Sequence, residues 1–481
     1  MKRHTYVWFC ILLGIGLLLQ TPALGQRPEV HWEMATWAPW KPGGATQVQD
    51  STGEDWVYDI EISYSGGSPD GYIYAGYTTF PGYQFPSGSW SCTNLTKGCS
   101  IPKLFKADLE GNLLWYKHYS ENEGELTAVI QTSDGGYLAV GRSREWDTRL
   151  TYYGKTSSTS NLSCSSNCQS LPRNIYAVKT EADGTVEWEK LYGLSDTPVD
   201  SLSLLIQSAE AWDVVEMGSG NFRIVGQVLD PDDSARDSNG GYVTKAFMLE
   251  INSSGVRQWI KAYGNTGKAS IARGIARDGN DYTMVLNQFG QAEYLSTSAY
   301  ADIWVYKVDN SSNPSPAFTT QLTSTSTQHD FGYDVIYNTA GNILVAGVIN
   351  CTYSGGCFRS AGANGEGTAR VYRLSSGGSV LGNTGNKLGT VKSFDLWATM
   401  TPTSDGGSAF VSTKQPNGPI NVNLPFSNTD AFVAKLNTTA TDTAWTFIYN
   451  AETTKTHRNN DGSDAGFTNQ ECLYVISGNA N

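Results

Sequence analysis

Two acidic runs have the residue types and spacing to hold a calcium ion. Asp230-Pro231-Asp232-Asp233, followed by Asp237 and Asn239, offers oxygen ligands within one stretch, and Asn459-Asn460-Asp461-Gly462-Ser463-Asp464 offers them at closer spacing. Calcium takes about six to eight oxygens, so Asp230, Asp232, Asp233 and Asp237 form one candidate set and Asn459, Asp461 and Asp464 another. Neither run supplies the closing glutamate of an EF-hand loop, and each also reads as a solvated polar turn.

Sulfur is the second chemistry. Six of the seven cysteines beyond residue 25 fall in close pairs, Cys92 with Cys99, Cys164 with Cys168 and Cys351 with Cys357. Behind an export signal, such pairs read as local disulfides. Zinc is the alternative, though no histidine lies near the pairs. Cys472 sits in an apolar run and reads as a buried thiol.

Catalytic signatures are sparse. His31, His118, His329 and His457 form no metal-spacing motif, and the chain has no Gly-x-Ser-x-Gly elbow and no phosphate-binding glycine loop. Paired carboxylates brought together only by folding stay invisible at this level. Lys106, Lys179, Lys307 and Lys435 recur at one place in a repeat, which suggests scaffold.

That repeat is what must position any site. A turn rich in Asp, Gly or Asn, then a short apolar run, usually closed by Gly, returns seven times. It reads Asp70-Gly71-Tyr72-Ile73-Tyr74-Ala75-Gly76, Asp134-Gly135-Gly136-Tyr137-Leu138-Ala139-Val140-Gly141 and Gly220-Asn221-Phe222-Arg223-Ile224-Val225-Gly226, with weaker copies closing at 286, 347, 412 and 478. Spacing of this order means an array of supersecondary units. One unit divides into Leu104–Asp108, Leu113–His118, Leu126–Gln131 and Tyr137–Gly141, with tight turns at Glu110-Gly111-Asn112 and Asp134-Gly135-Gly136. Trp115, Trp188, Trp259 and Trp445 recur at one place and read as packing residues between sheets.

Four-stranded antiparallel units in such number predict an all-β fold, a seven-bladed β-propeller spanning 26–481 with blades ending near 76, 141, 226, 286, 347, 412 and 478. A linear β-solenoid is the runner-up. Val30-His31-Trp32-Glu33 matches Val186-Glu187-Trp188-Glu189, so the first blade starts at its second strand and lacks one strand unless a segment beyond 481 supplies it. The long connections 77–103, 142–174, 227–245, 287–302, 348–370 and 412–430 gather on one face, the expected place for binding.

Residues 1–25 read as a secretory signal peptide: Lys2 and Arg3, an apolar run from Tyr6 to Leu19, then Ala23 and Gly25. Without Lys2 and Arg3 the chain keeps 31 basic and 46 acidic residues, a net charge of −15. This balance disfavours a nucleic-acid partner. No later stretch is apolar enough to span a bilayer.

Phe105 to Trp115 with Asp134 to Gly141, and Val178 to Trp188 with Gly220 to Gly226, resemble the repeats of secreted β-propeller proteins of Bacteroidota. The resemblance implies a secreted or cell-surface architecture rather than an activity. Asp50-Ser51-Thr52, Asp233-Ser234-Ala235 and Asp442-Thr443-Ala444 are similar to the O-glycosylation motif of that phylum, whereas no C-terminal sorting domain is seen. Leu109-Glu110-Gly111-Asn112-Leu113-Leu114-Trp115 looks like a segment of quinoprotein-type propellers, whose dehydrogenases usually also carry a vicinal disulfide; no adjacent cysteines exist here.

The sequence reading is therefore a secreted, non-catalytic binding module for a protein or carbohydrate partner at the cell surface, with no cofactor beyond the candidate calcium. A propeller enzyme, either quinoprotein oxidoreductase or polysaccharide hydrolase or lyase, and a structural spacer are the competing classes. Clustered Arg, Tyr, His and carboxylates at one channel mouth are the feature expected of an enzyme.

Overall fold

The computed structural model describes residues 55–80, 99–119, 123–143, 174–193, 209–230, 233–235, 242–292, 300–312, 314–323, 328–351, 365–393, 398–403, 405–414 and 430–449. The signal peptide, Val30–Glu33 and the copy of the phrase closing at 478 lie outside them.

The described strands form six antiparallel sheets. Sheet 1 runs β1 (Asp55–Ser65), β2 (Ser68–Phe80), β3 (Cys99–Ala107), β4 (Leu113–His118) in spatial order, and sheet 2 runs β5 (Gly124–Gln131), β6 (Tyr137–Ser143), β7 (Asn174–Thr180), β8 (Val186–Tyr192). Sheet 3 has β9 (Glu210–Glu216), β10 (Phe222–Asp230), β11 (Val243–Ile251), β12 (Arg257–Tyr263), and sheet 4 has β13 (Ser270–Asp278), β14 (Asp281–Phe289), β15 (Ala301–Val308), β16 (Phe318–Gln321). Sheet 5 has β17 (His329–Tyr337), β18 (Ile343–Cys351), β19 (Gly365–Leu374) and, along different parts of β19, β20 (Val380–Asn383) and β21 (Thr390–Ser393). Sheet 6 has β22 (Ala398–Pro402), β23 (Ser408–Lys414), β24 (Asp430–Leu436), β25 (Thr443–Tyr449).

Consecutive sheets pack through their first strands, the arrangement of a β-propeller. Six blades, not seven, stand in the described residues. The repeat is also cut differently from the sequence division. Leu113–His118 and Leu126–Gln131 belong to different sheets, while β6 pairs with β7 across the long 144–173 connection, Gly141 opposite Tyr176. The long connections therefore lie within blades, and the closing positions 76, 141, 226, 286, 347 and 412 sit on second strands rather than at blade ends. Antiparallel alternation puts the strand ends that both kinds of longer connection join on one face. Tight turns occupy the other.

Physical reasons for the phrase now separate. Its opening Asp meets the lysine of the third strand: Lys106 to Asp70 at 2.7 Å, Lys179 to Asp134 at 3.0 Å, Lys307 to Asp281 at 2.8 Å and Lys435 to Asp405 at 2.8 Å. Sheet 3 reverses the polarity, with Arg223 on the second strand and Glu250 on the third at 3.1 Å. The closing position, Gly in four of these blades and Leu286 in the fourth sheet, faces a bulge in the first strand, where Tyr58, Thr127, Trp212, Arg273 and Tyr333 are the extra residues. A Cβ at Gly141 or Gly226 would collide with the carbonyl oxygen of Glu125 or Glu210.

Two of the recurrent tryptophans, Trp115 and Trp188, clasp the following blade. Trp115 rests on Gly184 and Trp188 on Gly255, the glycine of the following blade's outer hairpin, and Trp188 Nε1 donates to the Ser253 carbonyl at 3.0 Å. Four residues on, Tyr119 and Tyr192 donate to the carbonyls of those same glycines at 3.0 and 2.8 Å. In sheet 4 Phe318 takes the tryptophan's place against Gly378. Trp188→Ala is expected to destabilise the chain by about 2–3 kcal/mol, below the full-burial cost because the ring is only half-buried. Urea unfolding reads this; a loss under about 0.5 kcal/mol would remove the clasp from the account.

Candidate functional site at the channel

The first strands of the sheets face the channel, and their bulges turn one residue of each. Directly after the bulge, β1, β9 and β17 carry Asp59, Asp213 and Asp334, whereas β5 and β13 carry Ala128 and Gly274. Each aspartate spends both carboxylate oxygens on main-chain N–H groups. Oδ1 of Asp59, Asp213 and Asp334 accepts from Ile60, Val214 and Val335, the next residue in each case. Oδ2 reaches the following blade and accepts from Val129 at 2.8 Å, Ile275 at 2.7 Å and Met400 at 2.7 Å. Asp334 also accepts from Thr399 Oγ1 at 3.0 Å.

Burial is the first cause of their unusual proton affinity, and charge among them adds to it. Asp59 is pushed up to about 6 by burial, partly offset by the N–H donors of Val129 and Ile60 and raised further by Asp334. Burial raises Asp213 well above the usual carboxylate range, with Asp334 and Asp59 adding repulsion, and raises Asp334 as well. Glu61, two residues along β1 from Asp59, is pushed up to about 8 by burial, then by Asp59 and Asp334, while keeping solvent-exposed surface.

At the end from which the long connections leave, a second cluster joins sheets 1, 2 and 3. Arg142 donates to Glu125 at 2.7 Å and to Glu210 at 2.6 Å, and Tyr58 Oη donates to Glu125 at 3.2 Å. All three charged side chains are about nine-tenths buried. Beyond them the Arg273 guanidinium stacks 3.7 Å above the Trp212 ring. Arg, Tyr and carboxylates do gather at one mouth, yet here they hold one another.

The residues singled out from sequence fall elsewhere. Asp233 is buried and engaged: Lys245 approaches it at 2.9 Å, and it accepts from the N–H groups of Ala235 and Gly267. These bonds hold its carboxyl below the usual range. Asp230 ends β10; Asp232, Asp237, Asn459, Asp461 and Asp464 lie outside the described residues, as do Cys92, Cys164, Cys168, Cys357 and Cys472. Cys99 begins β3 and Cys351, buried, ends β18. Among the described residues no three His, Cys, Asp or Glu side chains gather closely enough to hold a metal. His118, lowered to about 4 by burial and Lys103, and His329, lowered by burial, sit on strands of different sheets. No described helix is long and apolar enough to cross a membrane.

Sequence reading missed Asp59, Asp213 and Asp334. A signal existed: Asp followed by a β-branched residue, thirteen positions ahead of the closing glycine in Asp213/Gly226 and Asp334/Gly347.

No family model matches the chain, and no curated protein does. Among solved structures, an ulvan lyase of a polysaccharide lyase family is similar at 9% identity and TM-score 0.42, over 85% of this chain and 83% of that one. An α-L-arabinanase from Penicillium chrysogenum gives 11% and 0.42, over 80% and 94%. A protein of unknown function from Dyadobacter fermentans gives 12% and 0.41, over 76% and 92%. Nothing about activity follows from likenesses at this level.

Proposed function

We propose that this chain is a secreted or cell-surface propeller that binds a protein or glycan partner through the face of long connections, without catalysing a reaction. One observation carries the reading. The carboxylates at the channel and its mouth are committed: Asp59, Asp213 and Asp334 to main-chain N–H groups, and Glu125 and Glu210 to Arg142. A general acid or base has to reach substrate, and these oxygens already hold the sheets together. What varies from blade to blade is the set of long connections, the usual seat of recognition on a rigid scaffold.

A glycan and cell-surface-protein array probed with the purified chain lacking residues 1–25 tests this. Saturable binding to a defined class of array members is expected, and binding to none would overturn the reading in favour of a spacer. Disulfides at Cys92/Cys99, Cys164/Cys168 and Cys351/Cys357 would brace that face; alkylation before and after reduction, read by mass, tests them pair by pair.

The second reading is an enzyme. It rests on the gathering of Tyr58, Glu125, Arg142, Glu210 and the Arg273–Trp212 stack at one channel mouth, the pattern expected of a catalytic propeller.

A further inference from the structure

Four residues after the bulge, each of sheets 2 to 5 sends a polar side chain back to the blade before it. Gln131 Nε2 donates to the Tyr64 carbonyl at 2.8 Å, and Glu216 accepts from the Ser133 N–H at 2.8 Å. Arg277 donates to the Glu216 carbonyl at 2.9 Å, and Tyr337 Oη shares a hydrogen bond with Thr283 Oγ1 at 2.5 Å. Sheet 1 departs from this rule. Its residue at that place is Ile62, apolar and 43% exposed.

Register puts Ile62 in one row with Tyr72, Ala107 and Leu113, on the face of sheet 1 turned away from sheet 2. Tyr72, Tyr74, Phe105 and Ala107 on this face form a core cluster drawn from sheet 1 alone. Every other core cluster of the described residues joins two or more sheets. Yet the four are buried, Tyr74 and Ala107 completely. One sheet does not withdraw its own apolar face from water, so another layer has to cover it. Among the described residues sheet 6 does not serve. First strands pack in the order β1, β5, β9, β13, β17, β22, with nothing comparable from β22 back to β1.

Sheet 6 is built to receive a following blade. Trp445 lies opposite Lys435 as Trp115 lies opposite Lys106 and Trp188 opposite Lys179, the register from which those two tryptophans reach the next outer hairpin. Val433, opposite Val411, is buried and belongs to none of the core clusters of the described residues.

We propose that residues 26–54 and 450–481 together form a closing blade seated between sheets 6 and 1, its inner strands drawn from the later segment and its outer strand from the earlier one. The order fits the blades as the structure cuts them. Copies of the phrase lie on second strands, which assigns that place to the copy closing at Gly478. Val30-His31-Trp32-Glu33 copies Val186–Glu189, the start of outer strand β8. Val30 precedes the start of β1 at Asp55 by 25 residues, and Val186 precedes the start of β9 at Glu210 by 24. The two segments hold 29 and 32 residues, together longer than sheet 3 from Glu210 to Tyr263. The seam so closed would meet Ile62 through apolar contact, where the other blades use a polar bond.

Photo-crosslinking of the chain lacking residues 1–25 tests this. Ile62→p-benzoylphenylalanine and, separately, Leu113→p-benzoylphenylalanine place a reactive group at the inner and outer ends of the row, both on exposed side chains that leave the buried rings intact. After irradiation and peptide mass mapping, the label at 62 is expected to capture 450–481 and the label at 113 to capture 26–54, each within one molecule. Val256→p-benzoylphenylalanine, on the exposed rim of sheet 3, is the control and is expected to capture neither segment. Capture of β22 to β25 by the label at 62 would mean direct closure by sheet 6, and a crosslinked dimer would mean a second copy on this face. Either result, exchanged targets, no capture, or equal capture by the control would overturn the proposal.

Discussion

Replacing Arg142 with Ala is expected to destabilise the chain by about 3–5 kcal/mol, the largest loss foreseen from a single side chain. The guanidinium holds Glu125 and Glu210 of adjacent blades at 2.7 and 2.6 Å, and all three are almost fully buried. Without it two buried carboxylates lose the cation they share, while Tyr58 Oη still donates to Glu125. Replacing the whole set, Arg142→Met with Glu125→Gln and Glu210→Gln, is expected to recover much of the loss, because no buried charge is stranded. Urea unfolding of the single and triple variants measures this. An Arg142→Ala loss under about 1 kcal/mol, typical of exposed pairs, would contradict the described burial.

Gly226→Ala is expected to cost at least about 3 kcal/mol, through backbone rather than charge. The new Cβ would collide with the Glu210 carbonyl oxygen and press on the Phe247 ring at 2.8 Å. Neither neighbour can step aside, since Gly226 lies opposite Ala211 beside the bulge at Trp212. Gly220→Ala is the matched control. Its φ of +78° disfavours a side chain but nothing lies within 4 Å, so about 1 kcal/mol is expected. Thermal melts followed by circular dichroism separate the two. Equal losses would mean that the closing glycine is kept for its turn chemistry and not for the bulge it faces.

The contrast shows what the sequence discloses about this fold. Hairpin turns such as Asp134-Gly135-Gly136 announce themselves, because positive φ at Gly135 is a local requirement written in a local residue. The tryptophan clasp is legible too, since one aromatic recurs at one position. Pairing across long connections is not: nothing local in Gly141 says that Tyr176 lies opposite rather than a strand before it. For the same reason the sequence pattern divides the unit between other hairpins than the structure does, and its seven copies of the phrase predict seven blades where six stand in the described residues. The copy closing at 478 lies outside the described residues.

The channel aspartates were hidden for a related reason. Asp59 and Val129 are 70 residues apart, Asp213 and Ile275 62, and Asp334 and Met400 66. Each partner is a main-chain N–H, which leaves no trace in residue type. Asp233 errs the other way. Its acidic neighbourhood suggests a cation, and folding supplies one as Lys245, from twelve residues downstream.

The account stands on the commitment of these carboxylates to structure, and turnover tests it most directly. The purified chain, incubated with the polysaccharides it binds and assayed for new reducing ends and for unsaturated products, is predicted to bind without releasing either. Product release that is abolished by Asp59→Asn or Glu125→Gln, in variants that still fold and bind, would contradict it.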